Sequence, residues 1–191
     1  QSVITGLVCA SLVMVFLWPL VPLNALREKM IQGLRRTREL LERVRKDLAG
    51  ECALDVDSIL PEYYRMQTPE MLTMLDNAQT DFSFDGATRH NFISLLAFES
   101  RAAACLSVAA EQVAGHAADA TPEVFELFQA LDQRLEYILD QLEHPTTDGA
   151  VSAPPLHMAP PPEWLEPMQR VVEEAGVVAP NINMFAVLKN Q

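Results

Sequence analysis

The stretch NALREKMIQGLRRTRELLERVRKDLAG, residues 24–50, decides the fold. Leu26, Met30, Leu34, Thr37, Leu41, Val44 and Leu48 recur at steps of three and four, so a 3.6-residue period gathers them on one face. Glu39–Arg43 and Glu42–Lys46 stand at i,i+4 in the favourable order, and Gly50 supplies a stop. The spacing predicts an amphipathic helix over 24–49, about 39 Å long. A helix with one apolar stripe must bury it against other elements, and the rest of the chain offers mainly helices for that role.

Immediately upstream, residues 3–23 read VITGLVCASLVMVFLWPLVPL, with no charged side chain among them. As a helix this run measures roughly 31 Å, about one hydrocarbon core. Pro19 and Pro22 are expected to kink or end it, and Trp18 suits the membrane–water interface. A signal peptide lacks its basic n-region and cleavage site here, and a buried core helix would be shorter and carry a polar stripe. The membrane span is the favoured reading, and with Gln1 in place of an initiating Met the chain reads as an excerpt of a longer protein.

Charge is segregated along the 191 residues. Residues 27–46 hold Arg27, Lys29, Arg35, Arg36, Arg38, Arg43, Arg45 and Lys46 against three glutamates, a local +5, while the remainder carries −17 of the total −12. A basic run directly after an apolar span is the positive-inside pattern, which places residues after about 24 in the cytoplasm and the eight basic side chains at the membrane surface. The competing reading is a solvated helix face in a soluble bundle. The acidic balance of the whole argues against nucleic acid as a partner.

Downstream, Thr68-Pro69-Glu70 and Thr121-Pro122-Glu123 share a helix-start pattern of N-cap hydroxyl, proline and acid. The first opens a helix to about residue 80. The second opens one carrying Val124, Leu127, Phe128, Leu131, Leu135, Ile138 and Leu142, closed at His144-Pro145. Between them, bracketed by Gly86 and Gly115, Phe92, Leu95, Leu96, Ala103, Leu106, Ala110 and Val113 define the face of a third. Glu99 and Arg101 in that helix are either a buried pair or surface residues, the latter favoured. SILPEYYRM, residues 58–66, reads as a connector. Six of the 13 prolines fall in residues 145–162, so that segment reads as an extended spacer rather than a proline-recognition ligand. Residues 163–175 form a last helix with Trp164, Leu165, Met168, Val171 and Val172, and an apolar tail follows.

The chain is thus expected to be all-α. Residues 1–24 form a transmembrane helix that ends a truncated membrane bundle, and 25–145 an antiparallel helical domain in the cytoplasm. Residues 146–162 are a Pro-rich linker and 163–191 a short helix and tail. Catalytic and cofactor sites are not expected. His90, His116, His144 and His157 are isolated without ligand spacing, and neither glycine-rich phosphate loop occurs. Asp81, Ser83 and Asp85 lack the spacing of a calcium loop, and Asp55 and Asp57 read as helix-start or loop acids. Cys9, Cys52 and Cys105 are unpaired by spacing, which fits a reducing compartment, and Cys105 reads as a small core residue. Met66, Met71 and Met74 read as core packing before an adaptable binding surface.

An apolar run closed by Trp18-Pro19, an Arg-rich amphipathic helix at once after it, and Ala/Leu-rich helices beyond resemble the fusaric-acid-resistance or aromatic-acid-exporter family of bacterial inner-membrane proteins. The resemblance covers residues 10–145 in layout and 12–48 in texture. It implies an efflux transporter for small organic acids, in contact with the lipid bilayer and with further membrane helices of the same protein or of homo-oligomer partners. No transport residue carries over. The alternative function is a single-span anchored scaffold or regulator whose acidic bundle binds another protein.

Overall fold

The computed structural model describes residues 20–53, 55, 71–73, 76, 86–116, 121–144 and 162–183. Among these residues every regular element is helical and no strand occurs. The principal helices are α1 (Leu20–Leu48), α2 (Gly86–His116), α3 (Pro122–Glu143) and α4 (Glu166–Val178), with 3₁₀ turns at Glu163–Leu165 and Ala179–Asn183 flanking α4. Met71, Leu72, Thr73 and Asp76 are helical as well, while the rest of the helix expected near residues 68–80 lies outside the described residues. So do the Pro-rich segment up to residue 161, the tail beyond Asn183, and the expected membrane span up to Pro19.

α1 takes in Leu20 to Leu23, the last residues of the apolar run, so Pro22 falls in its first described turn. The helix stops where the sequence places the stop. Gly50 adopts φ 73°, a left-handed conformation that costs an L side chain free energy but not glycine. Its N–H donates to Asp47 O at 2.9 Å and the Glu51 N–H reaches Lys46 O at 2.9 Å, the paired bonds of a Schellman turn. α3 begins with Pro122 in its first turn and Thr121 in an extended conformation. The Thr121 hydroxyl does not cap the helix as the start pattern suggests. It bonds the Glu123 carboxylate instead and lowers that group's pKa. In α4, Pro167 falls in the first turn, where its missing N–H has no intrahelical partner to lose.

The four helices close a ring of neighbours: α1 packs on α2, α2 on α4, α4 on α3 and α3 on α1. All seven stripe residues read from α1 are buried, and Ile31 and Leu40 widen that stripe so that it meets two helices. The faces read from α2 and α3 are buried in full, joined by Phe98, Ala102 and Ala109 on α2 and by Ala130 and Leu139 on α3. α4 contributes Met168, Val171, Val172, Ala175 and Val178 to the same core, with Leu165 and Ile182 from its flanking turns. The C-terminal helix is therefore a wall of the bundle, although a Pro-rich segment separates it in sequence. Its 3₁₀ continuation through Pro180 carries the packed region past Gly176 and residue 175, where the sequence reading stops it.

One described helix is long and apolar enough to cross a membrane by length and composition, and it is α2. More than half of that apolar stretch is buried among the other helices, as in the central helix of a globular core. Its exposed face keeps Ile93 and Val108 in contact with solvent.

Candidate functional site

The eight basic residues all lie on α1, and the fold turns most of them toward carboxylates. Arg35 Nη2 reaches Glu143 at 2.6 Å, and Arg38 forms a two-pronged contact with Asp132, Nε to Oδ1 at 2.5 Å and Nη2 to Oδ2 at 3.1 Å. Glu136 stands 3.3 Å from the same guanidinium. The hydrogen bond to Asp132 raises the pKa of Arg38 further above its already high value. Arg45 and Lys46 share Glu42, at 2.8 and 3.4 Å, and their hydrogen bonds lower the pKa of that carboxyl. Arg27 lies 4.0 Å from Glu28. Lys29 and Arg36 have interactions of their own, and Arg43 is exposed. The cluster of like charges in sequence is, in three dimensions, half of a mixed ionic face shared with α3. That face lines an open groove of about 620 Å³ between the two helices, where Glu39, Glu42, Glu136 and Asp140 stand among the arginines. Such partly exposed pairs contribute little each to stability, and the groove has no single sign of charge to select a ligand.

Glu99 and Arg101 part company. Arg101 is exposed and grips Glu174 of α4 through both Nε, at 2.9 Å, and Nη2. Glu99 is only 4% exposed, so the surface reading fails for this residue. Its carboxyl fills the notch that Gly33 leaves on α1: a Cβ on Gly33 would fall 1.7 Å from Glu99 Oε1. Oε2 has no hydrogen-bond partner, and burial pushes the carboxyl up to about 8, so it is largely neutral near pH 7. Beside it in sequence register, the buried Thr37 turns its hydroxyl back onto Gly33 O at 3.0 Å. The signal for this seam was a glycine in the middle of an otherwise strong helix former.

Arg134 is the second buried charge, and its sequence signal lay in its spacing. It falls three residues after Leu131 and four before Ile138, on the apolar face of α3, and is 9% exposed. Desolvation lowers its pKa from the usual value. The remaining candidates stand apart. Cys105 is half-buried with its thiol pushed up to about 11, which keeps it protonated and a poor nucleophile. Cys52 is exposed and His90 is exposed. His144 faces Asp140 at 3.4 Å. Met71 is buried in the core, while Met66, Met74, Cys9, His157, Asp57, Asp81, Ser83 and Asp85 lie outside the described residues. Among the described residues no three His, Cys, Asp or Glu side chains gather as a metal site.

Comparisons with protein families, curated proteins and solved structures return no match, so the functional reading rests on the chain's own residues.

Proposed function

We propose that this chain is the membrane-proximal helical module of a bacterial inner-membrane efflux transporter for small organic acids, with residues after about 24 in the cytoplasm. The observation that carries the reading is the reach of α1: one helix includes Leu20 to Leu23 of the apolar run and continues through Arg27 to Leu48. A helix is stiff along its axis, so movement at the apolar end is delivered to the packed end without a slack joint. In this reading the module acts by packing and transmission, not as an enzyme. The ion pairs support an antiparallel α1 and α3, since Arg35 takes Glu143 while Arg38, farther along α1, takes the earlier Asp132 and Glu136. That the arginines are paired in the fold does not weaken their part in orientation, because basic residues act on topology during insertion, before the bundle closes.

Cys52 gives the test. It is exposed just after α1, so burial does not silence it. A membrane-impermeant thiol reagent leaves Cys52 unlabelled in intact cells and labels it after permeabilisation. Labelling from outside intact cells removes the cytoplasmic placement and the reading with it. The alternative of a single-span anchored scaffold draws on the exposed Val177 of α4 and Ile93 of α2, which line an open groove with Ala97 and suit a protein partner. Deleting residues 25–143 separates the two readings: loss of efflux with insertion retained supports the transporter, and intact efflux supports the scaffold.

A further inference from the structure

α1, α3 and α4 each gather their apolar residues on one stripe, whereas those of α2 are spread round its circumference. A helix that is apolar all round is normally covered all round. α1 and α4 pack on α2, yet its outer face stays bare: Ile93 is 38% exposed, Val108 is 44% exposed, and Ala104 between them is exposed as well. Val177 of α4, the most exposed large apolar side chain among the described residues, lines an open groove of about 550 Å³ together with Ile93 and Ala97.

The order of residues on that face indicates what covers it. At about 100° per residue, His90, Ile93, Ala97, Ala104, Val108 and Glu111 fall within an arc of roughly 60°. Their positions are symmetric about a point between Ser100 and Arg101. His90 and Glu111 stand equally far from it on either side, as do Ile93 and Val108, and Ala97 and Ala104. A second α2 laid antiparallel across that point sets Ile93 against the partner's Val108, and the pairing repeats the other way. The partner's Val108 then enters the groove beside Val177. Ala97 meets the partner's Ala104 next to the axis, where small side chains let two helices approach closely. At the ends, a His90 N–H donates to the partner's Glu111 carboxylate. Neither His90 nor Glu111 has an ionic partner among the described residues. Arg101 lies beside the axis, and each copy is already neutralised by its own Glu174, with Nε at 2.9 Å from the carboxylate, so no bare like charges meet there.

We propose that the outer face of α2 is a self-association surface, on which a second copy of this chain docks antiparallel about a two-fold axis beside Arg101. A two-fold contact requires a face that is its own complement, and this one matches apolar to apolar, small to small and donor to acid. The contact runs about 32 Å along α2 from residue 90 to residue 111, the scale of a small interface, so the dimer is weak and dependent on concentration. The pairing rests on the bundle and not on the membrane reading.

The test uses the full chain in non-ionic detergent. Sedimentation equilibrium is expected to show a reversible monomer–dimer equilibrium that Val108→Glu abolishes. His90→Glu and Glu111→Lys each weaken the dimer, and the two together restore it, because the exchanged charges face each other again. Cross-linking reads the register, in chains with Cys9, Cys52 and Cys105 replaced by Ser. A mixture of Ala97→Cys and Ala104→Cys chains forms a disulfide-linked dimer under mild oxidation. Either chain alone does not, because identical positions stand about 10 Å apart along the helix, beyond the reach of a disulfide. A chain that stays monomeric at every concentration overturns the proposal. So does a dimer indifferent to Val108→Glu, which places association elsewhere, such as in the apolar run. If Val108→Glu does not fold, the register decides: cross-linking of Ala104→Cys with itself as readily as in the mixture overturns the antiparallel contact.

Discussion

Glu99 and Gly33 are one feature made from two helices. The carboxyl occupies the space where any other residue at position 33 carries its Cβ. Gly33→Ala is expected to destabilise the bundle by about 1–3 kcal/mol through overpacking, despite the better helix propensity of alanine. Glu99→Ala should suppress most of that loss, and chemical denaturation of the double-mutant cycle measures the coupling. Additive single effects would mean that the two residues do not share the space. The same carboxyl sets a pH dependence. Unfolded, it ionises near about 4.3. Folded, it ionises near 8, so the native state holds the extra proton between those values. Stability therefore falls as pH rises from roughly 4 to 8 and levels off above. Glu99→Gln should remove this slope and unfold later at pH 8, by about 2–4 kcal/mol at most. A parallel pH profile in the two proteins would count against a buried carboxyl.

At the scale of the helix, the C-terminal ends of α1 and α4 make distinct demands. Gly50→Ala meets no neighbouring atom, so its cost is purely that of the left-handed backbone, about 1 kcal/mol. Gly176→Ala runs the other way. Its Cβ arrives at contact distance above Arg134, so the usual helix gain of roughly 0.5–1 kcal/mol should appear as a higher unfolding midpoint. Finding both substitutions destabilising by the same amount would show that α4 is not helical through residue 176. The ionic face between α1 and α3 matters less than its number of charges suggests. Arg38 is about a third exposed, and Arg38→Gln should lower stability by no more than about 1 kcal/mol, less still in high salt.

For the whole molecule, the ring of neighbours makes α4 structural. It packs on both α2 and α3 and adds its own apolar residues to the common core. A chain ended at residue 161 should lose cooperative unfolding and bind a hydrophobic dye, although its first three helices keep their propensities. A sharp two-state transition in that truncated chain would make α4 an appendage. The placement of Cys52 is a question at this scale too, and the labelling experiment answers it without reference to any side-chain contact.

Among the described residues, periodicity was enough to locate α1, α2 and α3 and their inward faces. Each stripe residue read from α1, α2 and α3 is buried, because a 3.6-residue repeat is a local property that the chain carries wherever it packs. The helix stop at Gly50 was legible for the same local reason. What the sequence left open needed partners distant in the chain. Whether Glu99 faces water or a notch depends on Gly33, and Arg38 is paired only because Asp132 comes to lie beside it. Arg134 showed its apolar register in sequence, yet only the approach of α4 brings Gly176 against its guanidinium. Apolar spacing is written one turn at a time, whereas the neutralisation of a charge is decided by whichever helix the fold brings alongside.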